Sequence, residues 1–287
     1  MLPPDTPPLT ISEALARAVR RLAPMEDRRL DAEVLLASVL GKPRTHLIAW
    51  PDKLLSQAQQ KTFDRLVERR LSGEPAAHLT GEREFWSLKL RVTEDTLIPR
   101  PETETLVQRA LELIPEDTAW IIADLGTGSG AIAAAIASGR PRCRLIATDI
   151  SGAALEVAAE NFRNLGLFSV DIFQGDWFGA LPEAILLDMI LSNPPYVAEG
   201  DPHLERNGLP FEPDRALMSG PEGLDAARHL AEGAPGYLKP GGWLMLEHGF
   251  DQGEPVRRLM RQAGLSDIQT QQDPGGRDRI TEGRNPD

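Results

Sequence analysis

Asn193-Pro194-Pro195-Tyr196 follows directly on the apolar run Met189-Ile190-Leu191. The asparagine side-chain carbonyl and the Pro194 backbone carbonyl, on a chain stiffened by two fixed proline φ angles, can accept both hydrogens of a planar –NH₂ group. Tyr196 can cover the flat face of that group. Such a clamp suits a carboxamide or an aromatic amine. A tetrapeptide of this composition also makes an ordinary turn. Its place after the fourth apolar strand of a βα series favours binding, because the carboxyl ends of the strands form the ligand crevice of open parallel sheets.

Upstream, Asp124-Leu125-Gly126-Thr127-Gly128-Ser129-Gly130 lies between an apolar strand and an Ala/Ile-rich helix. Its glycines permit close approach of backbone to a nucleoside. No lysine follows as in a nucleotide triphosphate loop, and the spacing departs from the Gly-x-Gly-x-x-Gly that a dinucleotide pyrophosphate requires. S-adenosylmethionine is the better match. Asp149, at the end of the next strand, can accept from both hydroxyls of a ribose or cap the helix that starts near Ser151; the ribose role is favoured. In Gly175-Asp176-Trp177 the carboxylate can accept from an adenine amino group and the indole can cover the ring, with simple packing as the rival for Trp177. Ile98-Pro99-Arg100-Pro101-Glu102-Thr103-Glu104 is expected beside the methionine end of the cofactor. Glu247-His248-Gly249 falls near the crevice and reads as structural. Clamp and glycine turn together indicate methyl transfer to a planar nitrogen.

The elements that must position these groups fall into two styles. From about Thr10 to about Gly73 the pattern is helical, with Thr10-x-x-Glu13 and Ser56-x-x-Gln59 as capping boxes and Ile11, Leu15, Val19 and Leu22 on one face. Phe63, Leu66 and Leu71 form another face, and Gly41 and Gly73 supply stops. Glu84 to Val92 reads as one strand and Leu97-Ile98 as the start of a second, making a hairpin linker. From Trp120 strand and helix alternate: Trp120–Asp124, Leu145–Thr148, Val170–Gln174, Leu186–Ser192 and Trp243–Glu247 are strand candidates. That is a doubly wound α/β domain. Ile268 to Arg284, broken at Gly275-Gly276, reads as a terminal antiparallel hairpin. The expected division is 1–83 helical and substrate-docking, 84–104 hairpin linker, 105–287 catalytic.

With 287 residues, 41% hydrophobic and 26% charged, the chain can bury an ample core. One cysteine, Cys143, excludes an internal disulfide and a Cys-x-x-Cys metal site, and points to a reducing cytoplasm. The five histidines are scattered without metal-ligand spacing, so no metal is expected. No leader is read in the proline-rich start, and runs such as Ala131–Ala137 fall far short of the ~20 residues of a membrane span. A net charge of −12 repels phosphate backbones, so direct nucleic-acid binding is not expected. Arg65, Arg69 and Arg70 read as a solvated helix face.

Four segments carry a resemblance to the HemK/PrmC family of bacterial release-factor glutamine methyltransferases: Gly73-Glu74-Pro75 through Gly81-Glu82-Arg83-Glu84-Phe85-Trp86, Ile98 to Glu104, Asp124 to Gly130, and Asn193 to Tyr196. The last two recur in many amino-methyltransferases; the first two, in this order after a helical N-terminus, are more discriminating. His78 stands where the family pattern has tyrosine. The resemblance implies a class I, Rossmann-like domain with a seven-stranded, mostly parallel sheet, S-adenosylmethionine as cofactor, and methylation of the glutamine amide in the Gly-Gly-Gln motif of peptide chain release factors. It assigns Asn193, Pro194, Pro195 and Tyr196 to substrate and catalysis, and Gly126, Thr127, Gly128, Ser129, Gly130, Asp149, Asp176, Trp177 and Asn193 to the cofactor. Glutamine methylation of a ribosomal protein shares every chemical motif. Adenine methylation on DNA needs a target-recognition domain and base flipping, which acidic charge and a short chain disfavour. A binding module without turnover is the rival from another class, weighed against by intact Gly126, Gly128, Asp149 and Asn193.

Overall fold

Thr10 and Ser56 each open a helix by a reciprocal capping box. The Thr10 hydroxyl accepts from the Glu13 N–H (3.2 Å) while the Glu13 carboxylate accepts from the Thr10 N–H (2.8 Å). Ser56 and Gln59 repeat the exchange at 3.2 and 2.9 Å. The computed structural model describes residues 8–205 and 209–287, and the chain divides into two units at Gly81. The first is helical: α1 (Ile11–Arg21), α2 (Arg28–Leu40), α3 (Arg44–Ala49), α4 (Gln57–Leu71) and α5 (Ala76–Thr80). Ile11, Ala14, Ala18 and Leu22 line its core with Leu35, Leu36, Phe63 and Val67. Leu15 and Val19, expected on the inner face, are half-buried at its edge. Arg70 pairs with the Asp31 carboxylate at 2.8 Å and Arg69 pairs with Glu74, so two members of the arginine group are engaged within their own unit.

The second unit opens with β1 (Glu82–Phe85) and β2 (Leu88–Arg91), paired antiparallel. This corrects the reading of 84–92 as one strand. Trp86 and Ser87 have φ of 50° and 59°, and two consecutive positive φ angles make the tight hairpin turn that suits strand twist. Glu104 accepts from the Trp86 N–H at 2.8 Å and anchors that turn. Leu97-Ile98 does not begin a strand; the Ile98 N–H donates to Glu212 instead.

The remainder is the expected doubly wound sheet. Its elements are α6 (Thr103–Leu113), β3 (Ile121–Leu125), α7 (Ala131–Gly139), β4 (Arg144–Asp149), α8 (Gly152–Leu165), β5 (Val170–Gln174), β6 (Leu187–Ser192), α9 (Asp225–Gly233), β7 (Leu238–Glu247), α10 (Gly253–Gln262), β8 (Ser266–Gln272) and β9 (Asp278–Arg284). Among the described residues the sheet has seven strands in the order β5-β4-β3-β6-β7-β9-β8, with β9 antiparallel to both neighbours and β3 to β7 mutually parallel. Strands buried on both faces must be apolar at successive positions. Ile122 accordingly joins the core under α6, α7 and α8, while Ala123 and Leu125 join the one under α9 and α10. The chain runs outward from β3 to β5 and returns to β6 on the other side of β3. The carboxyl ends of β3 and β6 therefore flank the topological switch point, where open α/β sheets leave a crevice.

Candidate active site

The turn after β3 is held in a shape that few side chains tolerate. Gly126, Gly128 and Gly130 have φ of 75°, 56° and 82°, in the left-handed region where a Cβ collides with its own backbone. A Cβ on Gly130 would also stand 2.7 Å from the Phe162 ring, and one on Gly126 3.2 Å from the Trp177 indole. The Gly126 and Thr127 N–H groups both donate to the Thr148 carbonyl, at 2.9 and 2.8 Å. Behind the turn, the fully buried Asp124 accepts from the Thr127 hydroxyl (2.6 Å) and the Ala133 N–H (3.1 Å). Burial pushes its carboxyl up to about 6, against the pull of those two bonds.

Asp149 closes the other side. One carboxylate oxygen accepts from the Gly128 N–H at 2.9 Å and the other from the Ser151 N–H at 2.8 Å. The helix cap itself is Ser151, whose hydroxyl accepts from the Ala154 N–H. Asp149 thus ties the glycine turn to β4, and each of its oxygens keeps a lone pair for a further donor.

Gly126, Thr127, Gly128, Ser129, Asp149, Asp176, Trp177, Asn193 and Pro195 line one cavity of about 300 Å³. Residues drawn from four separate strand ends are thereby brought to one place. Trp177 adopts φ 40°, a strained conformation for a bulky residue that sets its indole over the glycine turn. Gly130 lies outside this lining and acts as the residue before α7. Pro194 and Tyr196 are likewise outside it. Pro194 is buried, and Tyr196 is half-buried with its phenol beside Glu247, burial raising the phenol's pKa.

Asn193 is held from one side. Its Nδ2 donates to the Thr103 hydroxyl at 3.3 Å, while its Oδ1 is buried without a partner. A buried acceptor left unpaired costs about 1–3 kcal/mol, and such atoms gather where a ligand completes them. A cradle of positive-φ glycines, a carboxylate with free lone pairs and an orphaned acceptor together fit a nucleoside cofactor and an amide donor.

Several lining residues escaped the sequence reading as site members: Thr96, Leu97, Thr148, Arg215 and Ala216. Arg215 and Ala216 follow Glu212, a buried carboxylate that accepts from the Ile98 N–H (2.9 Å) and the Arg100 guanidinium (2.5 Å). That clasp draws together segments more than a hundred positions apart, which no local pattern announces. Glu247 is wholly buried at the end of β7. Burial pushes its carboxyl up to about 7, opposed by the nearby Thr103 hydroxyl.

Fold and site define a class I methyltransferase. Residues 104–206 match the family model described as "Methyltransferase small domain", and residues 13–81 match "PrmC N-terminal domain". The chain is 50% identical over 275 residues to the "Release factor glutamine methyltransferase" of Xylella fastidiosa strain Temecula1, covering 95% of this chain and 97% of that one. It is 46% identical over 270 residues to the protein of the same description from Escherichia coli K12, covering 94% and 97%. A crystal structure of a methyltransferase from Pyrococcus furiosus superposes with a TM-score of 0.54 at 18% identity, over 77% of this chain and 98% of that one, a likeness of fold alone. The chain belongs to the release factor glutamine methyltransferase family. Among the described residues no helix is long and apolar enough to cross a membrane.

The tie from Asp149 to the glycine turn gives a direct expectation. Asp149→Ala should weaken S-adenosylmethionine binding by about 1.5–3 kcal/mol, through loss of a charged acceptor. Calorimetric titration of the folded variant measures it, and wild-type affinity would confine Asp149 to holding its own backbone.

Proposed function

We propose that this protein transfers a methyl group to the side-chain amide nitrogen of the glutamine in the Gly-Gly-Gln motif of peptide chain release factors. The observation that carries the reading is the orphaned, buried Oδ1 of Asn193 at the rim of the glycine-lined cavity. Family membership supports the choice of glutamine and of release factor.

An amide nitrogen is a poor nucleophile because its lone pair is delocalised into the carbonyl. In this reading Asn193 Oδ1 and the Pro194 carbonyl accept its two hydrogens, which concentrates electron density on nitrogen and favours pyramidalisation. Tyr196 bounds the space over the amide plane. The glycine turn, Asp149, Asp176 and Trp177 hold S-adenosylmethionine, which supplies an electrophilic methyl group on a sulfonium. Holding nitrogen and methyl carbon at ~3–3.5 Å, with the approach aligned, supplies several kcal/mol of barrier lowering without a strong base. The surplus proton on nitrogen leaves after transfer.

The helical unit carries none of the cavity's lining residues, and in this reading it docks the protein substrate. A cytoplasmic location follows from that substrate class, and no direct contact with nucleic acid is required by it. Purified release factors and ribosomal subunits, each incubated with labelled cofactor, separate this function from methylation of a ribosomal protein: the label should enter the release factor.

Asn193→Ala should lower kcat by two orders of magnitude or more while cofactor affinity stays near wild type, because the lost acceptor acts chiefly in the transition state. Turnover near normal would sink the clamp. Removing residues 1–81 should cut methylation of an intact release factor more than that of a short Gly-Gly-Gln peptide. Equal losses in a truncated protein still folded by circular dichroism would show that the helical unit supports the active site instead of docking.

A further inference from the structure

The orientation of Asn193 is set by groups absent from the clamp itself, beginning with the Thr103 hydroxyl. An asparagine amide can present either its oxygen or its NH₂ to the cavity, and the two faces do opposite things to a substrate amide. Only the oxygen accepts. What decides between them is the Thr103 hydroxyl, which lines the same cavity and lies 3.3 Å from Nδ2.

A hydroxyl has one hydrogen and two lone pairs. If Thr103 spends its hydrogen elsewhere, only lone pairs face Asn193, and the amide must turn its NH₂ toward Thr103 and keep its oxygen for another donor. Glu247 is positioned to take that hydrogen. β6 and β7 are parallel neighbours in register at Ser192 and Leu246, so Asn193, just past β6, follows on beside Glu247, the last residue of β7. The carboxylate has no exposed surface, neither oxygen makes a full hydrogen bond in the resting arrangement, and the Thr103 hydroxyl favours its ionised form. Thr103 stands buried at the first turn of α6, its hydroxyl within 3.3 Å of Asn193 Nδ2.

We infer that Glu247 and Thr103 form a relay that locks the Asn193 amide with Oδ1 toward the substrate, both acting as positioning residues for methyl transfer and the ionised carboxylate being the working form. The inference rests on the clamp reading above and extends it. When Glu247 takes up a proton it becomes a donor toward Thr103. The hydroxyl hydrogen is then released toward Asn193, the amide turns over, and its NH₂ opposes the NH₂ of the substrate.

The charged surroundings of Glu247 are consistent with a carboxyl that titrates near neutrality. Arg279 on β9 and Arg100 before α6 favour its ionised form and Glu102 disfavours it, with the Tyr196 phenol also close. Both cations are already engaged, Arg279 with Asp273 (3.4 Å) and Arg100 with Glu212 (2.5 Å). Burial therefore dominates and places the carboxyl at about 7. A group raised in this way is ionised above that pH and protonated below it, so the working form is lost as pH falls.

The test measures kcat against pH from 6 to 8.5 for the full-length protein at saturating cofactor and release factor. Wild type should lose roughly tenfold between pH 8 and pH 6, as expected for one group titrating near 7. In Glu247→Gln the side-chain carbonyl still accepts from Thr103 and cannot be protonated in this range, so the acid limb should vanish. Thr103→Val should lower kcat at least tenfold with little change in cofactor affinity, and Thr103→Ser should restore it. An acid limb that survives in Glu247→Gln, or a Thr103→Val enzyme with wild-type kcat, overturns the relay. Asn193→Ala run alongside separates the two claims: its normal turnover would remove the clamp and the relay together, whereas its loss beside a wild-type Thr103→Val would remove the relay alone.

Discussion

A carbonyl oxygen buried without a partner costs about 1–3 kcal/mol, and the Oδ1 of Asn193 is in that condition. Several neighbours restrain the residue that carries this oxygen. Pro194 and Pro195 restrict the backbone that follows it, Thr103 occupies its amide nitrogen, and β6 is packed on both faces. Turning away would give up these contacts. A ligand N–H would satisfy this oxygen, and in the proposed clamp the second hydrogen of a primary amide goes to the Pro194 carbonyl.

The placement of that oxygen follows from sheet topology. The strand order reverses between β3 and β6, so the glycine turn after β3 and the asparagine after β6 emerge side by side. Three glycines of the turn hold positive φ, and Asp149 fastens it at Gly128. The same carboxylate orders the backbone and keeps lone pairs free. Asp95, Thr96, Leu97 and Pro99 also line the cavity, and Glu212 clasps this segment through the Ile98 N–H and the Arg100 guanidinium.

Much of this was legible in the residues because its causes are local. A hydroxyl three positions before a Glu or Gln dictates a capping box, alternating apolar runs dictate strands, and a Gly-x-Gly-x-Gly turn after an apolar strand dictates a cradle. The linker is a hairpin as its pattern suggests, but its turn falls at Trp86 and Ser87, whose positive φ neither residue type signals. Ile11 and Leu22 lie in the helical core with Leu15 and Val19 packed against it, and the buried Ala14 and Ala18 complete the α1 face because alanine is too weak a hydrophobic signal to announce itself. Thr103 meets Asn193 across ninety positions of sequence and Glu212 meets Ile98 across more than a hundred. Such pairs exist only once the sheet has formed. Glu247 reads as structural in the sequence because a buried acid at a strand end has no spacing motif to mark it.

The central claim is that the site recognises two amide N–H hydrogens with two fixed acceptors. It is tested most directly by replacing the target glutamine of a release factor with glutamate and titrating both forms calorimetrically into the protein loaded with S-adenosylhomocysteine. A carboxylate has the same size but offers no donor and sets negative charge against both acceptors. The account predicts that the glutamate form binds roughly tenfold more weakly or worse. Equal affinity for the two forms would contradict it.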